Sequence, residues 1–342
     1  MTTYDPGANH PFELPFDDVE HGHVPVQNPR AVLADVLQHL TSTFVGDAGG
    51  ALDGALTTVA ILVAKWMVEP YPLRLLVTGS TGVGKSRLLT AISEMTRVPA
   101  TILPVTQLAE ATWSGLQLGD AVRELFPDLF TQRNARGRIV APDGTIRRRC
   151  VFCLDELDKL ALVTPDNQPL DGAARAWRLG RQETLLAALD PLSEIPTRLD
   201  DVDGTVRWSL ADSIVICAGA FPMFGPAEVI TPASLRGVGL TGELIDRLGV
   251  VLTLPQPSAA ARKQLATVAA ADMVAFARRL DVEVEGLDAL ISTLPAPGSP
   301  EAPYLGVRGL RHHVERKIAD AIAVAVGRSD AVAHVHHLPE PS

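Results

Sequence analysis

The sequence predicts an α/β fold: a doubly wound parallel sheet followed by a small all-helical second domain. Three observations predict it. Four short apolar runs, at 73–77, 150–154, 213–217 and 250–254, are separated by helical patterns. That alternation is what parallel strands joined by crossover helices require. A glycine-rich turn, Gly79 to Ser86, stands directly after the first run. Beyond Pro257 only helical periodicity remains.

In chain order, residues 1–30 are rich in Pro, His and acids and show no period, so they read as a flexible arm. His10, His21 and His23 read there as solvated side chains rather than metal ligands. Helical spacing then begins, with Leu33, Val36, Leu37 and Leu40 on one face. A glycine-rich break at 46–50 separates it from a second apolar helix that reaches Met67. Leu73–Val77 reads as a buried strand, and the helix after the glycine turn buries Leu88, Leu89, Ile92 and Met95. The runs at 150, 213 and 250 supply three further strands, the last ended by Pro255 and Pro257. In the second domain one helical face is expected to carry Leu265, Val268, Met273, Phe276 and Leu280. Another carries Leu310, Val314, Ile318, Ile322 and Val326. The expected divisions are an arm over 1–30, a large α/β domain over 31–255, a helical lid over 256–328 and a tail over 329–342.

Composition narrows the function. The 342 residues suggest two domains at roughly 150 residues each. The formal charge, 30 − 40 = −10, argues against coating nucleic acid through bulk charge. Three cysteines make no disulfide framework. Cys150 and Cys153 form a C-x-x-C pair, but on a strand they point to opposite faces, so they read as buried thiols. The first residues are polar and acidic, unlike a secretory leader. The most apolar stretch, 54–64, is short of the roughly 20 residues that span a bilayer. A cytoplasmic location with no membrane contact is the expectation.

Gly79-Ser80-Thr81-Gly82-Val83-Gly84-Lys85-Ser86 matches G-x-x-x-x-G-K-[ST]. Glycines let backbone N–H groups close around phosphate oxygens, and the helix that follows adds its dipole. Lys85 would reach the β- and γ-phosphates of ATP, and Ser86 would ligand Mg²⁺. Lysine occupies only five positions in the chain, so a chance match is rare. Asp155-Glu156 follows the second apolar strand. An acid at that strand end can hold the Mg²⁺ shell, and its neighbour can polarise an attacking water. Asp155 is therefore the candidate metal-shell residue and Glu156 the candidate catalytic base.

From about Phe44 to Ile322 the chain resembles the AAA+ superfamily, and within it the ClpX-type protein unfoldases. The entry segment Phe44-Val45-Gly46-Asp47 and the block Leu154-Asp155-Glu156-Leu157-Asp158-Lys159 are similar to that family's motifs. So are the helix 180–189, the strand end 216–221, Leu244-Ile245-Asp246-Arg247-Leu248 and Gly306-Val307-Arg308-Gly309-Leu310-Arg311. The resemblance implies a homo-hexameric ring that hydrolyses MgATP to unfold or remodel a protein substrate. It implies that Arg247 is an arginine finger acting on a neighbour's nucleotide and that Arg308 is the sensor-2 arginine. Trp113 takes the place of the aromatic pore-loop residue that grips substrate. Two departures matter. No cysteine pair for the family's zinc module occurs in residues 1–70. The stretch between Phe221 and Arg247 lacks the loop that docks a peptidase, so a ClpP-type partner is not expected.

Residues 138–147, Arg138-Ile139-Val140-Ala141-Pro142-Asp143-Gly144-Thr145-Ile146-Arg147, read as a hairpin with a Pro-Asp-Gly turn. Arg133, Arg136, Arg148 and Arg149 border it. It reads first as a solvated or intersubunit hairpin; it could also touch an acidic protein or nucleic acid, although no aromatic residue interleaves the arginines. Asp200, Asp201 and Asp203 read as a solvated acidic loop. Two other readings stay open: a nucleotide-switched assembly factor for a dedicated partner, and a nucleic-acid-stimulated motor.

Overall fold

The computed structural model describes residues 28–44, 50–107, 121–197, 199, 201–225, 228–295, 306–328 and 331–335. Helices α1 (Pro29–Thr43) and α2 (Ala51–Val68) lead into strand β1 (Leu73–Thr78). Next come α3 (Lys85–Thr96), β2 (Ala100–Pro104), the short strands β3 (Ile139–Val140) and β4 (Thr145–Ile146), and β5 (Val151–Asp155). Helix α4 (Gly172–Leu189) is followed by β6 (Ile195–Thr197), β7 (Val202–Asp203), β8 (Val206–Trp208) and β9 (Ile214–Gly219). Helices α5 (Pro232–Gly237) and α6 (Gly242–Arg247) precede β10 (Val250–Thr253). The C-terminal part comprises α7 (Ala259–Arg278), β11 (Glu283–Glu285), α8 (Leu287–Ser292), α9 (Val307–Arg328) and β12 (Val332–His334).

The central sheet has five parallel strands in the order β10-β1-β9-β5-β2. Its apolar residues alternate between two faces, as a sheet covered on both sides requires. Leu75, Val77, Val151, Cys153, Ile214 and Ile216 join the core formed with α1, α2 and α3. Leu76, Phe152, Leu154, Val215 and Cys217 join the other core, with α4, α5 and α6. The doubly wound sheet is thus as the sequence predicts. Strand β2 was not legible: it is an edge strand, and of its five residues only Thr101 is fully buried.

Helix α2 is 18 residues long, and by length and composition alone it could cross a membrane. That corrects the expectation that the stretch is too short. Its packing explains the hydropathy: Leu56, Val59, Ala60, Val63, Ala64, Trp66 and Met67 are buried in the core. The three cysteines are buried and free. Burial pushes the Cys150 and Cys217 thiols up to about 12. No cluster of metal-ligating side chains occurs among the described residues.

Three further expectations are corrected. Residues 138–147 do not fold back on themselves as a hairpin. β3 instead pairs in parallel with β7, and β4 with β8, which also pairs with β6. Ile139, Ile146, Val202, Val206 and the fully buried Trp208 drive this pairing by entering the core. The acidic loop is not merely solvated, because Asp201 pairs with Arg123 and Asp203 with Arg138. In the lid, α7 turns Val268 and Phe276 outward, and Leu280 just beyond it is also exposed, while Ala266, Ala269, Ala270 and Ala277 face α9 and only Met273 of the expected larger residues packs against that core. Alanines permit the close helix approach that larger side chains would block. The face of α9 is as expected from Leu310 to Ile322, but Ala325 rather than Val326 completes it.

The C-terminal part is not purely helical, since β11 and β12 form a two-stranded parallel pair. The expected tail over 329–342 therefore contains a docked strand, with Ala333 and Val335 buried in the lid core.

Candidate active site

The glycine turn connects β1 to α3. Gly79, Gly82 and Gly84 have φ of 139°, 84° and 108°, which side chains rarely adopt. A Cβ on Gly79 would lie 2.6 Å from the Leu254 carbonyl oxygen, so only glycine fits there. Gly84 caps α3, and Lys85 is its first residue. The Lys85 Nζ donates to the carbonyls of Gly79 (2.6 Å) and Ser80 (3.1 Å). Burial holds its ammonium below the ordinary lysine value; Asp155 and Asp158 oppose that, and Arg308 adds to it. A half-buried cation whose hydrogen bonds, among the described residues, go to its own loop's carbonyls fits an incoming phosphate.

Asp155 ends β5 next to this loop and accepts the Glu156 N–H at 2.8 Å. Glu156 sits in the left-handed region at φ 62°, a strained position for a non-glycine residue and one that functional sites favour. Thr106 donates to the Glu156 carboxylate at 3.4 Å. Asp158 is buried and accepts the Ala220 N–H at 2.9 Å, tying the Asp155-Glu156 turn to the end of β9. Sequence reasoning gave Thr106 and Asp158 no role. Thr106 follows the unrecognised edge strand β2; the signal for Asp158 was a third acid so close to an acid-tipped strand.

The lid touches the same loop. Val307 donates its N–H to the Gly82 carbonyl at 2.9 Å. A Cβ on Gly306 would meet the Thr81 oxygen at 2.1 Å, so backbone packs on backbone here. Gln256, in the linker from β10 to α7, donates to the Ser80 hydroxyl at 2.6 Å. This docking brings Arg308 into the electrostatic surroundings of Lys85.

Residues 79–86, Asp155, Glu156 and Arg308 therefore converge. Arg247 does not join them. It ends α6, which packs on the sheet face opposite α3. Its guanidinium donates to the Leu186 carbonyl at 2.8 Å and pairs with Glu243 at 3.1 Å and Asp190 at 3.7 Å. Trp113 lies outside the described residues. Three of the six arginines of the predicted basic hairpin and its borders pair with acids: Arg138 with Asp203, Arg148 with Asp128, and Arg147 with Glu194, which Arg207 of β8 shares.

A parallel sheet with a phosphate loop after β1 and an acid-tipped β5 is a nucleotide-hydrolysing arrangement. Residues 75–227 match the family model of the ATPase family associated with various cellular activities (AAA), and both motifs fall inside that match; the chain hydrolyses ATP.

Proposed function

We propose that this ATPase works as a ClpX-like homo-hexameric ring that turns over MgATP to unfold, translocate or remodel a protein. The observation that carries this reading is the docking of α9 on the phosphate loop through Gly306, Val307 and Arg308. A lid that rests its backbone on the nucleotide loop must move when the loop's occupant changes. That motion is what a remodelling motor needs.

In this reading Glu156 polarises the attacking water, held in place by its strained backbone and Thr106. Lys85 binds the β- and γ-phosphates once it leaves the carbonyls of Gly79 and Ser80. Ser86 and Asp155 are the side chains that would hold Mg²⁺, whose charge offsets that of the phosphate oxygens. Arg308 contacts the nucleotide from the lid. Arg247 faces away from its own phosphate loop and acts on the neighbouring subunit's γ-phosphate. Trp113 grips the substrate chain by bulk and apolar contact. The stretch between Phe221 and Arg247 lacks the loop by which the family it resembles docks a ClpP-type peptidase, so in this reading the product is a remodelled protein rather than peptides.

A substrate trap tests this. Glu156→Gln protein, loaded with ATP, is used to capture clients from native lysate beside a Glu156→Gln/Trp113→Ala double variant. Proteins retained only with Trp113 present are the expected result. A single partner held equally by both variants would support an assembly switch instead. Retained nucleic acid would support a nucleic-acid motor.

A further inference from the structure

We propose that Gln182 is a positioning residue for Arg247, linking the turn after Glu156 to the helix that carries the arginine. The proposal rests on the reading of Arg247 as a residue acting on a neighbouring subunit.

Gln182 lies on α4 with no solvent exposure, and every partner it has is backbone. Its Nε2 donates to the carbonyls of Leu160 (3.0 Å) and Gly239 (3.1 Å). Its Oε1 accepts the Thr241 N–H at 2.8 Å. Two carbonyls on one side and an N–H on the other fix which end is the amide nitrogen. Three segments meet at this one side chain. Leu160 closes the short turn 157–160 that begins directly after Glu156. Gly239 and Thr241 belong to the loop that enters α6.

Helix α6 needs this anchor. It has six residues, far below the length at which a helix holds itself together in water. Thr241 is its N-cap, and the Thr241 side chain accepts the Leu244 N–H. Arg247 is its last residue and donates to the Leu186 carbonyl. Gln182 and Leu186 are four apart on α4, so they share a face. Helix α4 therefore holds α6 at both ends, by the Gln182 amide at the start and the Leu186 carbonyl at the finish. The loop is pressed home as well. Leu162 donates its N–H to the Val238 carbonyl at 2.7 Å, and a Cβ on Gly239 would lie 2.5 Å from that of Leu162.

The two sides of this junction differ in what else supports them. The Glu156 turn hangs from β5 and is also tied by Asp158 to Ala220. The start of α6 has no comparable strand beside it. Loss of the Gln182 amide therefore disturbs Arg247 more than Glu156. In a ring, a subunit lacking Gln182 becomes a poor donor of its arginine while remaining a competent acceptor of its neighbour's.

Mixed rings of the full chain separate these roles. Arg247→Ala subunits keep an intact site but lack the arginine. Glu156→Gln subunits lack hydrolysis but present it. ATP hydrolysis by the mixture, above the sum of the separate proteins, reports donation across the interface. Adding Gln182→Met to the Glu156→Gln donor is expected to reduce this signal at least tenfold. Adding it to the Arg247→Ala acceptor is expected to leave it within twofold. A general folding defect would weaken both arms, so equal loss overturns the proposal. If Gln182→Met does not fold, Thr241→Ala removes only the α6 cap and is expected to show the same donor-only loss, about threefold. Equal loss in both arms, or none, overturns the proposal there too. If the unmodified pair shows no signal, the across-interface reading of Arg247 fails, and the proposal falls with it.

Discussion

Replacing Gly306 by alanine isolates the lid contact from the rest of the fold. The added Cβ would sit 2.1 Å from the Thr81 oxygen and 3.0 Å from the Gly82 Cα. Both obstacles are backbone, so no side chain can rotate away. Overpacking of this kind costs about 1–3 kcal/mol. Displacing the lid also breaks the bond from Val307 to Gly82, worth about 0.5–1.5 kcal/mol net. Together these weaken docking by about 1.5–4.5 kcal/mol, of which small shifts recover a part. At roughly 1.4 kcal/mol per decade, ATP affinity should fall at least tenfold if Arg308 is delivered by docking. The assay is ATP binding to the Glu156→Gln form by calorimetry, with and without Gly306→Ala. The melting temperature of the nucleotide-free protein should fall by a few degrees as well, because Gly306 is buried and the same contact holds the lid before nucleotide binds. Gly180→Ala is the control: it lies within α4 and its Cβ would meet nothing within 4 Å. Unchanged ATP affinity in Gly306→Ala, with the clash this severe, would refute docking as part of nucleotide binding.

Two further outcomes follow from burial and charge. Lys85→Met should abolish ATP binding without lowering the melting temperature of the nucleotide-free protein. Burial holds the Lys85 value below its ordinary 10.5, so the ammonium costs stability at neutral pH. The unfolded chain binds the extra proton between the lowered value and 10.5, so wild-type stability rises through that window. The melting-temperature difference between variant and parent, followed from pH 7 to 10, should therefore change in favour of the parent; a variant several degrees less stable at pH 7.5 would refute this. In the β3–β4 platform, Trp208→Ala should cost about 3–5 kcal/mol and Asp203→Asn under about 1 kcal/mol in denaturant unfolding. Trp208 is fully buried edge-on to Phe152 at 5.3 Å, whereas the Arg138–Asp203 pair is close to half exposed. A larger loss from Asp203→Asn would mean that charge pairs, not apolar burial, hold the platform.

The parts legible in the sequence were those set by strong local rules. Buried parallel strands read as continuous apolar runs, and β1, β5, β9 and β10 were found within a residue or two of their observed bounds. The phosphate loop was legible because glycine and lysine are required at fixed positions. What failed was decided by tertiary contact. β2 has a single fully buried residue, so it lacks the apolar run. β3 and β4 are two residues each, and pair with strands some sixty residues away rather than with each other. The α7 face was misread because alanines line most of the contact with α9, while Val268 and Phe276 point away and only Met273 of the larger residues packs there. Gln182 fell inside the helix 180–189 that carries the resemblance, but nothing in its spacing marked it as buried, since a glutamine amid helix formers looks like a solvated residue. Its importance comes from the three backbone partners that the fold brings to it.

Those partners also explain why a central helix carries so many polar side chains inward. From one stretch of α4, Arg178 donates to the carbonyls of Ala161 and Val163, Arg181 to that of Thr106, and Gln182 to those of Leu160 and Gly239. The Leu186 carbonyl takes Arg247. Apart from Leu186, which is in α4 itself, each acceptor is turn or loop backbone with no sheet ladder to satisfy it. An apolar helix face could pack against these loops but could not fix their carbonyls. The Thr106 and Leu160 segments flank Asp155 and Glu156, and the Gly239 loop leads to Arg247. A shift of α4 by a fraction of an ångström would therefore be felt at all of them together, because short hydrogen bonds tolerate little misalignment. That makes α4, rather than any single loop, the element through which the subunit's own phosphate site and the site it faces across the proposed ring are held in register.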